Sequence, residues 1–301
     1  MMHILITGGN GSLGVKLIEK INLEGKILRI LSRNDNEKIN RKDNRIYYVR
    51  GDLLDEDSLI EATKDIDLVI HMAGITHTNR PSEYYEVNVR GTEKLVEACK
   101  KNNVKKIIHV SSRTASLAGG DYAISKLFSE DIIKKSGLNW IILKLAEVYG
   151  IGCKGGINQL INFVQKYHFA PVIGSGDYTM SPVYISDAVN SILSSMGSDI
   201  YGKTYVIAGP EKNTYKEIIN KISNYTGTTI FKIHIPIFLL NVLAHLSSIF
   251  RLNLIVRDQI PRLLCDKPSD ISMAIKYLNY RPKTFDEGLA EYLKIAKYRG
   301  N

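Results

Sequence analysis

The sequence predicts an α/β fold built on a doubly wound parallel sheet, with a smaller C-terminal substrate lobe. Short apolar runs alternate with helical stretches up to about residue 145, which implies β-α-β crossovers and therefore parallel strands. A cluster of glycines directly follows the first apolar run, as is typical where a buried strand turns into a helix. The 301 residues, 44% of them hydrophobic, suffice for the core of a complete sheet domain and for an added lobe.

The first strand and its glycines predict a Rossmann-type, dinucleotide-binding turn. The apolar run Ile4-Leu5-Ile6 is followed by the spacing G-x-x-G-x-x-G, and a helix is expected to begin near Ser12. Gly8 permits the tight turn, Gly11 leaves room for a cofactor, and Gly14 lets the helix lie close to the sheet. A structural loop without a ligand also fits three spaced glycines. The predicted cofactor contacts in this turn are Gly8, Asn10, Gly11, Ser12, Leu13 and Gly14.

The end of the second strand indicates which nicotinamide dinucleotide binds. A strand is predicted over Lys26 to Leu31, and Ser32-Arg33-Asn34 follows it. An acid at this place would bind the ribose 2′-hydroxyl of NAD, whereas an arginine can bind the 2′-phosphate of NADP. Arg33 therefore favours NADP, while the nearby Asp35 keeps NAD open. Arg33 as an ordinary solvated side chain is the alternative.

Two further strands bring small and acidic residues to the same sheet edge. A strand over Ile46 to Val49 leads into Gly51-Asp52-Leu53, and a strand over Asp67 to Met72 leads into Ala73-Gly74. A polar loop from Ile75 to Ser82 follows, and its Thr76 either reaches a substrate or is simply solvated. Because the carboxyl ends of parallel strands share one edge, we expect cofactor contacts there. They are Asp52, Leu53, Ala73 and Gly74.

The fifth strand and the helix after it carry the predicted catalytic groups. The strand over Lys105 to Val110 ends in Ser111-Ser112, and a helix is predicted around Tyr122 to Lys135. Tyr122 and Lys126 are four residues apart on one helix face, so the lysine ammonium can lower the pKa of the phenol towards neutrality. Such a tyrosine exchanges a proton with a hydroxyl–carbonyl pair. Ser111 or Ser112 can hydrogen-bond the same substrate oxygen.

The second half of the chain alternates less regularly. A sixth strand is predicted over Trp140 to Leu145, and Thr204 to Ile207 is predicted to be the last strand of the main sheet. Residues 1–150 are assigned to the Rossmann core, completed by segments near 182–208, and residues 151–301 mainly to the substrate lobe. The apolar run from Ile235 to Phe250 is too short to span a membrane. We predict a helix packed into the lobe; an interfacial helix lying on a membrane stays open.

Composition narrows the classes of function. Three scattered cysteines without C-x-x-C spacing predict neither a disulfide framework nor a thiolate metal site, and they fit a reducing cytoplasm. The chain runs straight into its first strand, so no export signal is predicted. The net charge of +9 is spread without a basic block, which argues against nucleic-acid binding. The seven histidines lack ligand spacing, so we predict no metal site.

These motifs together resemble the extended short-chain dehydrogenase/reductase family, which contains nucleotide-sugar epimerases, dehydratases and ketoreductases. The resemblance covers nearly the whole chain. Its motifs are TGGNGSLG from Thr7, Gly51-Asp52-Leu53, HMAG from His71, NVRGT from Asn88, HVSS from His109, YAISK from Tyr122, EVYG from Glu147, PVYISDA from Pro182 and DISMAIKYLNYRPKTFDEGL from Asp270.

The resemblance implies a role for several residues. Tyr122 would be the acid/base, Ser112 its partner, and Lys126 would bond the nicotinamide ribose. Asp52 and Leu53 would hold the adenine, and Asn88 would kink its helix and support a water relay to Lys126. From the residues themselves, and not from the resemblance, the candidate substrate contacts are Thr76, Arg113, Tyr149, Arg257 and Arg262. A diphosphate would be held by cations among Arg251, Arg257, Arg262 and Lys267, and an ordinary surface charge is the alternative for each of them.

The predicted function is hydride transfer between NADP, or NAD, and a nucleotide-linked sugar. A keto-sugar reductase is ranked first, a nucleotide-sugar 4-epimerase second, and a non-catalytic cofactor-binding or sensor protein is a further alternative; a steroid or flavonoid ketone as substrate is also allowed.

Two departures from the family lie near the substrate: only ten positions separate Ser112 from Tyr122, and Lys144-Leu145 stands where Arg-Pro is common. The oligomeric state, a homodimer among the options, is left open.

Overall fold

The computed structural model describes residues 1–34, 43–239 and 259–299. Seven parallel strands form the main sheet in the order β11-β6-β5-β4-β1-β2-β3. They are β1 (Met2–Thr7), β2 (Lys26–Ser32), β3 (Ile46–Arg50), β4 (Leu68–His71), β5 (Lys106–Ser112), β6 (Asn139–Leu145) and β11 (Lys203–Ile207). The strand order reverses between β1 and β4, and ligands of open α/β sheets bind outside the carboxyl ends at such a point.

Helices connect these strands and continue beyond them. They are α1 (Ser12–Lys20), α2 (Glu56–Thr63), α3 (Pro81–Tyr84), α4 (Gly91–Lys101), α5 (Gly120–Lys134), α6 (Gly156–Tyr167), α7 (Ile185–Met196), α8 (Tyr215–Thr226), α9 (Gln259–Leu264), α10 (Ser272–Leu278) and α11 (Phe285–Arg299). A π-helical segment, Tyr85–Arg90, joins α3 to α4. Asn88, expected from the resemblance to kink its helix, lies in this segment, where the helix changes its winding without ending.

The main sheet is buried on both faces. Along β1, Ile4 and Ile6 face one core and Leu5 faces the opposite core, which explains a continuous apolar run where a half-exposed strand would alternate. Residues of α1 and α7 complete the first core, and residues of α2 and α4 complete the second. The sheet therefore lies between two helical layers, and only its edges and strand ends are outside them.

A third apolar cluster lies outside these two cores. It joins residues from α6, α8 and α11, among them Ile161, Ile219 and Leu289. The short strands of this half are β7 (Val148–Tyr149), β8 (Phe169–Ile173), β9 (Thr179–Met180), β10 (Val183–Tyr184), β12 (Asn213–Thr214) and β13 (Phe231–Ile235). They pair in twos, β10 with β7, β12 with β9 and β13 with β8.

The main predicted strands agree with the structure, including the last one, because β11 pairs with β6 at the sheet edge. The predicted helix from Ile235 to Phe250 begins at the end of β13, and its residues 240–250 lie outside the described part of the chain. Within the described residues, no helix combines the length and apolarity that a membrane crossing requires.

Candidate active site

The turn between β1 and α1 has the geometry predicted for its glycines. Gly8 has a φ of +76°, in the left-handed region that side chains avoid. A Cβ added at Gly14 would overlap the carbonyl oxygen of Gly8 and lie 2.6 Å from the Cα of Gly9. At Gly11, by contrast, the added Cβ would meet only that same oxygen, at 3.4 Å. Gly8 and Gly14 are therefore required by the protein itself, whereas the space at Gly11 is left for something else.

The start of α1 suits the pyrophosphate of a dinucleotide. Gly11 precedes the helix without a side-chain cap, and the first turn holds no acidic residue. The backbone N–H groups of this turn, at Ser12, Leu13 and Gly14, therefore carry uncompensated positive potential. Beside them the Asn10 amide donates to the Ser32 hydroxyl at 2.9 Å. The Ser12 hydroxyl donates to the carbonyl of Gly152 at 2.7 Å, which fixes the turn against the second half of the chain.

The groups predicted to hold the adenosine end lie together at the ends of β2 and β3. The Arg33 Nε is 4.0 Å from the Asp52 Oδ2, and their side chains are 81% and 41% exposed. An ion pair this exposed contributes little, so it does not fix the guanidinium. The other carboxylate oxygen of Asp52 accepts a 2.8 Å hydrogen bond from the Leu54 N–H. Leu53 is buried and packs against Gly91, where an added Cβ would lie 2.9 Å from the leucine.

Asn88 holds the loop that follows β4. It lies in the π-helical segment, where its side-chain oxygen accepts from the Ile75 N–H at 2.8 Å and its amide donates to the Ile75 carbonyl at 3.0 Å. The amide also donates to the Ser125 hydroxyl at 3.0 Å, next to Lys126 in α5. A Cβ at Gly74 would lie 2.8 Å from the Asn88 oxygen. The predicted small residues Ala73-Gly74 thus make room for this clamp as well as for a ligand.

A cleft opens between these loops and the carboxyl ends of β5 and β6. Its empty space is about 590 Å³, counting the mouth. Predicted catalytic, cofactor and substrate residues share its wall with apolar side chains. The lining residues are Met72, Gly74, Ile75, Thr76, Val110, Ser111, Ser112, Tyr122, Lys126, Leu145, Ala146 and Val148.

Lys126 is buried at the base of this cleft. Its ammonium donates to the Val110 carbonyl at 3.0 Å and lies 3.4 Å from the His109 Nε2. Burial lowers the pKa of Lys126 to about 8, against the opposing effect of Glu130. Its neighbour in the cleft wall, Tyr122, is 9% exposed and packs edge-on against Tyr84. Both side chains line the cleft, so a buried ammonium and a phenol share one pocket.

The structure distinguishes the two serines that the sequence left open. Ser111 donates to the buried carboxylate of Glu130 at 2.6 Å, which commits its hydroxyl to the space under α5. Ser112 pairs instead with the Thr114 hydroxyl at 2.8 Å. Lys144 also reaches Glu130, at 3.2 Å, and donates to the Ala115 carbonyl at 3.3 Å. The lysine that replaces arginine in the family pattern therefore ties down the short link between Ser112 and Tyr122.

Arg262, in α9, lies over the ring of Tyr122. Its guanidinium carbon lies 4.7 Å from the centre of the Tyr122 ring, a cation–π distance. It donates to the Thr76 carbonyl at 3.0 Å and lies 3.4 Å from the His77 Nε2. Two residues predicted from the sequence as substrate contacts, Thr76 and Arg262, are thus brought together above Tyr122.

Two other residues predicted as substrate contacts are buried in the structure. Tyr149 is 1% exposed, and its hydroxyl donates to the Phe285 carbonyl at 3.2 Å inside the third apolar cluster, so it faces no cleft. Arg113 is 2% exposed and donates to the Glu147 carboxylate at 2.7 Å, where a buried charge requires a partner. Lys267, also buried, lies 4.0 Å from the same carboxylate. Arg251 and Arg257 lie outside the described residues.

Sequence reasoning missed the buried polar groups behind the cleft, His109, Glu130 and Lys144. His71 and His109 fall within strands predicted from the sequence. The useful signal is their place on strands next to Ser111: in a parallel sheet, neighbouring strands put residues of equal register side by side. His71 is opposite His109 in this register. In the described part of the chain, no group of three or more His, Cys, Asp or Glu residues is placed to hold a metal ion.

Comparison with known proteins supports the predicted family. A family model, the NAD dependent epimerase/dehydratase family, matches residues 4–208. Among curated proteins, the uncharacterized protein y4nG of Sinorhizobium fredii is 25% identical, with 93% of this chain and 74% of that protein covered. The chain spans 42% to 55% of the length of several other curated relatives.

Solved structures share the fold over the whole chain. UDP-glucuronic acid 4-epimerase from Bacillus cereus, in complex with UDP-glucuronic acid and NAD, has a TM-score of 0.78 at 22% identity and covers 99% of this chain and 100% of that one. The dTDP-glucose 4,6-dehydratase DesIV from Streptomyces venezuelae, with NAD and TYD bound, has a TM-score of 0.78 at 21% identity, covering 100% and 98%. These likenesses confirm the predicted doubly wound α/β fold.

The glycine turn allows binding and folding to be separated. We expect Gly11→Ala to fold as the native protein does but to weaken dinucleotide binding at least tenfold, because its methyl group enters the space at the start of α1. Gly14→Ala should lower the free energy of unfolding by more than about 2 kcal/mol, since the methyl group meets backbone. Urea unfolding and cofactor titration measure the two effects.

Gly156→Ala is the control, because an added Cβ there meets nothing within 4 Å. Unchanged dinucleotide affinity in Gly11→Ala would contradict the assignment of this turn.

Proposed function

The chain belongs to the NAD dependent epimerase/dehydratase family, and from that premise we propose that it transfers hydride between a nicotinamide cofactor and a carbon of a nucleotide-linked sugar. The observation that carries the proposal is the shared cleft of Ser112, Tyr122 and Lys126 at the carboxyl edge of the sheet. Tyrosine supplies the proton transfer that must accompany hydride transfer at a carbon bearing oxygen. A bound nicotinamide supplies the hydride chemistry.

Each of these three side chains has a separate task. The Tyr122 hydroxyl gives a proton to the substrate oxygen during reduction or takes it during oxidation. The Ser112 hydroxyl, next to Thr114, holds the same oxygen by a hydrogen bond. Lys126 stabilises the phenolate, and its remaining N–H can reach the nicotinamide ribose because the Val110 carbonyl binds another. Asn88 keeps the loop at Ile75 in place and thereby preserves the shape of the cleft wall.

We assign the cofactor as NADP with NAD as the alternative. Arg33 supports NADP because it is exposed beside the end of β2, where Ser32 and Asn34 offer no carboxylate. NAD is supported by the related structures, since both of those described above contain it. A charge-assisted hydrogen bond from Arg33 to a 2′-phosphate is the physical difference between the two.

We rank a keto-sugar reductase first because Arg33 favours NADPH. A reductase consumes one NADPH in each turnover and therefore needs a cofactor that exchanges freely. A 4-epimerase is the second candidate, favoured by the likeness to an epimerase that binds UDP-glucuronic acid and NAD. In both cases the residues over the phenol, Thr76 and Arg262, contact the sugar or its diphosphate. Thr76 belongs to the core of residues 1–150 and Arg262 to the lobe of residues 151–301, so the proposed sugar site lies between the two. The sequence favours a cytoplasmic location and leaves a homodimer open. Neither of these changes which residues we propose to contact the sugar.

A panel of substrates tests the function. We expect the protein with NADPH to oxidise the cofactor in the presence of a nucleotide-linked 4-keto sugar, which absorbance at the nicotinamide band follows. Plain nucleotide hexoses, examined for product stereochemistry, serve as the second arm. Inversion without net cofactor oxidation would favour the epimerase over the reductase, and absence of reaction with every nucleotide-linked sugar would contradict both.

Substitution of the catalytic pair separates chemistry from binding. Tyr122→Phe keeps the ring under Arg262 and removes only the hydroxyl, so it should bind cofactor normally and lose more than about nine-tenths of native kcat. Lys126→Ala should impair both kcat and cofactor binding. Tyr205→Phe is the matched control, a buried tyrosine of β11 that packs in the first core and is not part of the cleft lining. Retained turnover in Tyr122→Phe would assign the proton transfer to another group.

Cofactor choice depends on one exposed charge. Arg33→Ala should weaken NADPH binding on the order of tenfold and leave NADH binding unchanged, because only the 2′-phosphate loses a contact. Fluorescence titration of both cofactors gives the two dissociation constants. Arg45→Ala, which removes an arginine paired with Asp43 at the start of β3, should change neither. Equal weakening of both cofactors by Arg33→Ala would overturn the NADP assignment.

A further inference from the structure

The ring of His109 lies behind the catalytic lysine and is completely buried. It belongs to β5, and its Nε2 is 3.4 Å from the Lys126 ammonium. The same Nε2 is 3.3 Å from the hydroxyl of Ser129, one turn further along α5. Two groups therefore compete for one nitrogen atom at similar distances.

Their hydrogen-bonding needs are opposite. The Ser129 hydroxyl donates its hydrogen to the Lys126 carbonyl at 2.8 Å, so towards the ring its oxygen can only accept. A charged Lys126 has only hydrogens to offer and needs Nε2 as an acceptor. Nε2 can carry a proton for Ser129 or a lone pair for Lys126, but not both at once.

The other ring nitrogen makes this choice costly. His109 Nδ1 is buried and has no hydrogen-bond partner among the described residues. When Nε2 accepts from the ammonium, the ring proton must be on Nδ1, where it is a buried donor without a partner. An unpaired buried donor is less favourable than an unpaired buried acceptor. When Lys126 is neutral, the ring proton returns to Nε2 and binds Ser129.

The groups around His109 leave it as the ring whose tautomer can respond to the charge of Lys126. His71, on β4, lies 5.1 Å away, but its nitrogens are held by Thr7 at 2.7 Å and Thr92 at 3.0 Å. On β6 the residue in register with His109 is Ile142, which is apolar. On α5 the nearby acid is Glu130, and its carboxylate is bound by Ser111 and Lys144. Burial, Lys126 and His71 lower the pKa of His109 well below its ordinary value, so the ring stays neutral.

We propose that His109 is a positioning residue for Lys126 and that the tautomer of the His109 ring is coupled to the charge of the lysine. In the charged state Nε2 and the Val110 carbonyl fix two ammonium hydrogens, and the third is directed into the cleft. When Lys126 loses one proton to solvent, His109 keeps its single proton, now on Nε2 instead of Nδ1. This role rests on the proposed function, because it serves the lysine assigned there.

Replacing His109 by Gln removes the competition, since one amide atom can accept from Lys126 while the other donates to Ser129. The pH dependence of NADPH binding reports the charge of Lys126, and we expect its alkaline transition to move up by about one pH unit in His109→Gln. His71→Gln is the matched control, a buried histidine in register on the next strand without contact to the lysine, and should leave the transition in place. Equal shifts in both variants would overturn the proposal.

Nitrogen NMR of the native protein with ¹⁵N-labelled histidine gives a second measurement that needs neither sugar nor a variant that folds. The His109 signals, assigned through the sequential assignment of the native protein, should change from the Nδ1–H to the Nε2–H pattern between about pH 6.5 and 9.5, around the lysine titration. An unchanged tautomer across this range would overturn the coupling. A tautomer change in a protein that converts no nucleotide-linked sugar would overturn the proposed function alone.

Discussion

A buried ammonium group at the carboxyl edge of a parallel sheet is the constraint on which the rest of this structure depends. Lys126 leaves water for a place where its bonds are to one backbone carbonyl and one imidazole, and the removal of water lowers its pKa to about 8. The nearest acid, Glu130, is shared with Ser111 and Lys144 and offsets this only in part. The lysine is therefore easier to deprotonate than one in water.

The wall opposite this lysine is set by one asparagine. Asn88 uses both of its amide atoms on the backbone of Ile75 and still reaches Ser125, beside the lysine. The π-helical winding of residues 85–90 permits this reach, because it turns a side chain that a regular helix would direct elsewhere. Through Asn88, this irregular helical segment links the loop over the cleft to the helix that carries Tyr122 and Lys126.

The C-terminal half contributes a positive charge at the cleft. Arg262 brings a positive charge onto the face of Tyr122 and binds the loop at Thr76 from outside the main sheet. By contrast, Arg113, Glu147 and Lys267 form a buried charged group that joins β5 and β6 to this half. Charges that looked equivalent along the chain therefore divide into one that lies over the Tyr122 ring and others that are paired in the interior.

The sequence by itself determined the order of strands and helices, the glycine turn and the pair Tyr122 and Lys126, because each depends on residues close together in the chain. Apolar runs specify buried strands, and a four-residue spacing specifies one helix face. Tertiary structure alone decided that Ser111 serves Glu130, that Tyr149 is a core residue and that His109 lies against Lys126. These contacts join residues from different elements, and their geometry depends on how the sheet and helices pack, which local spacing does not encode.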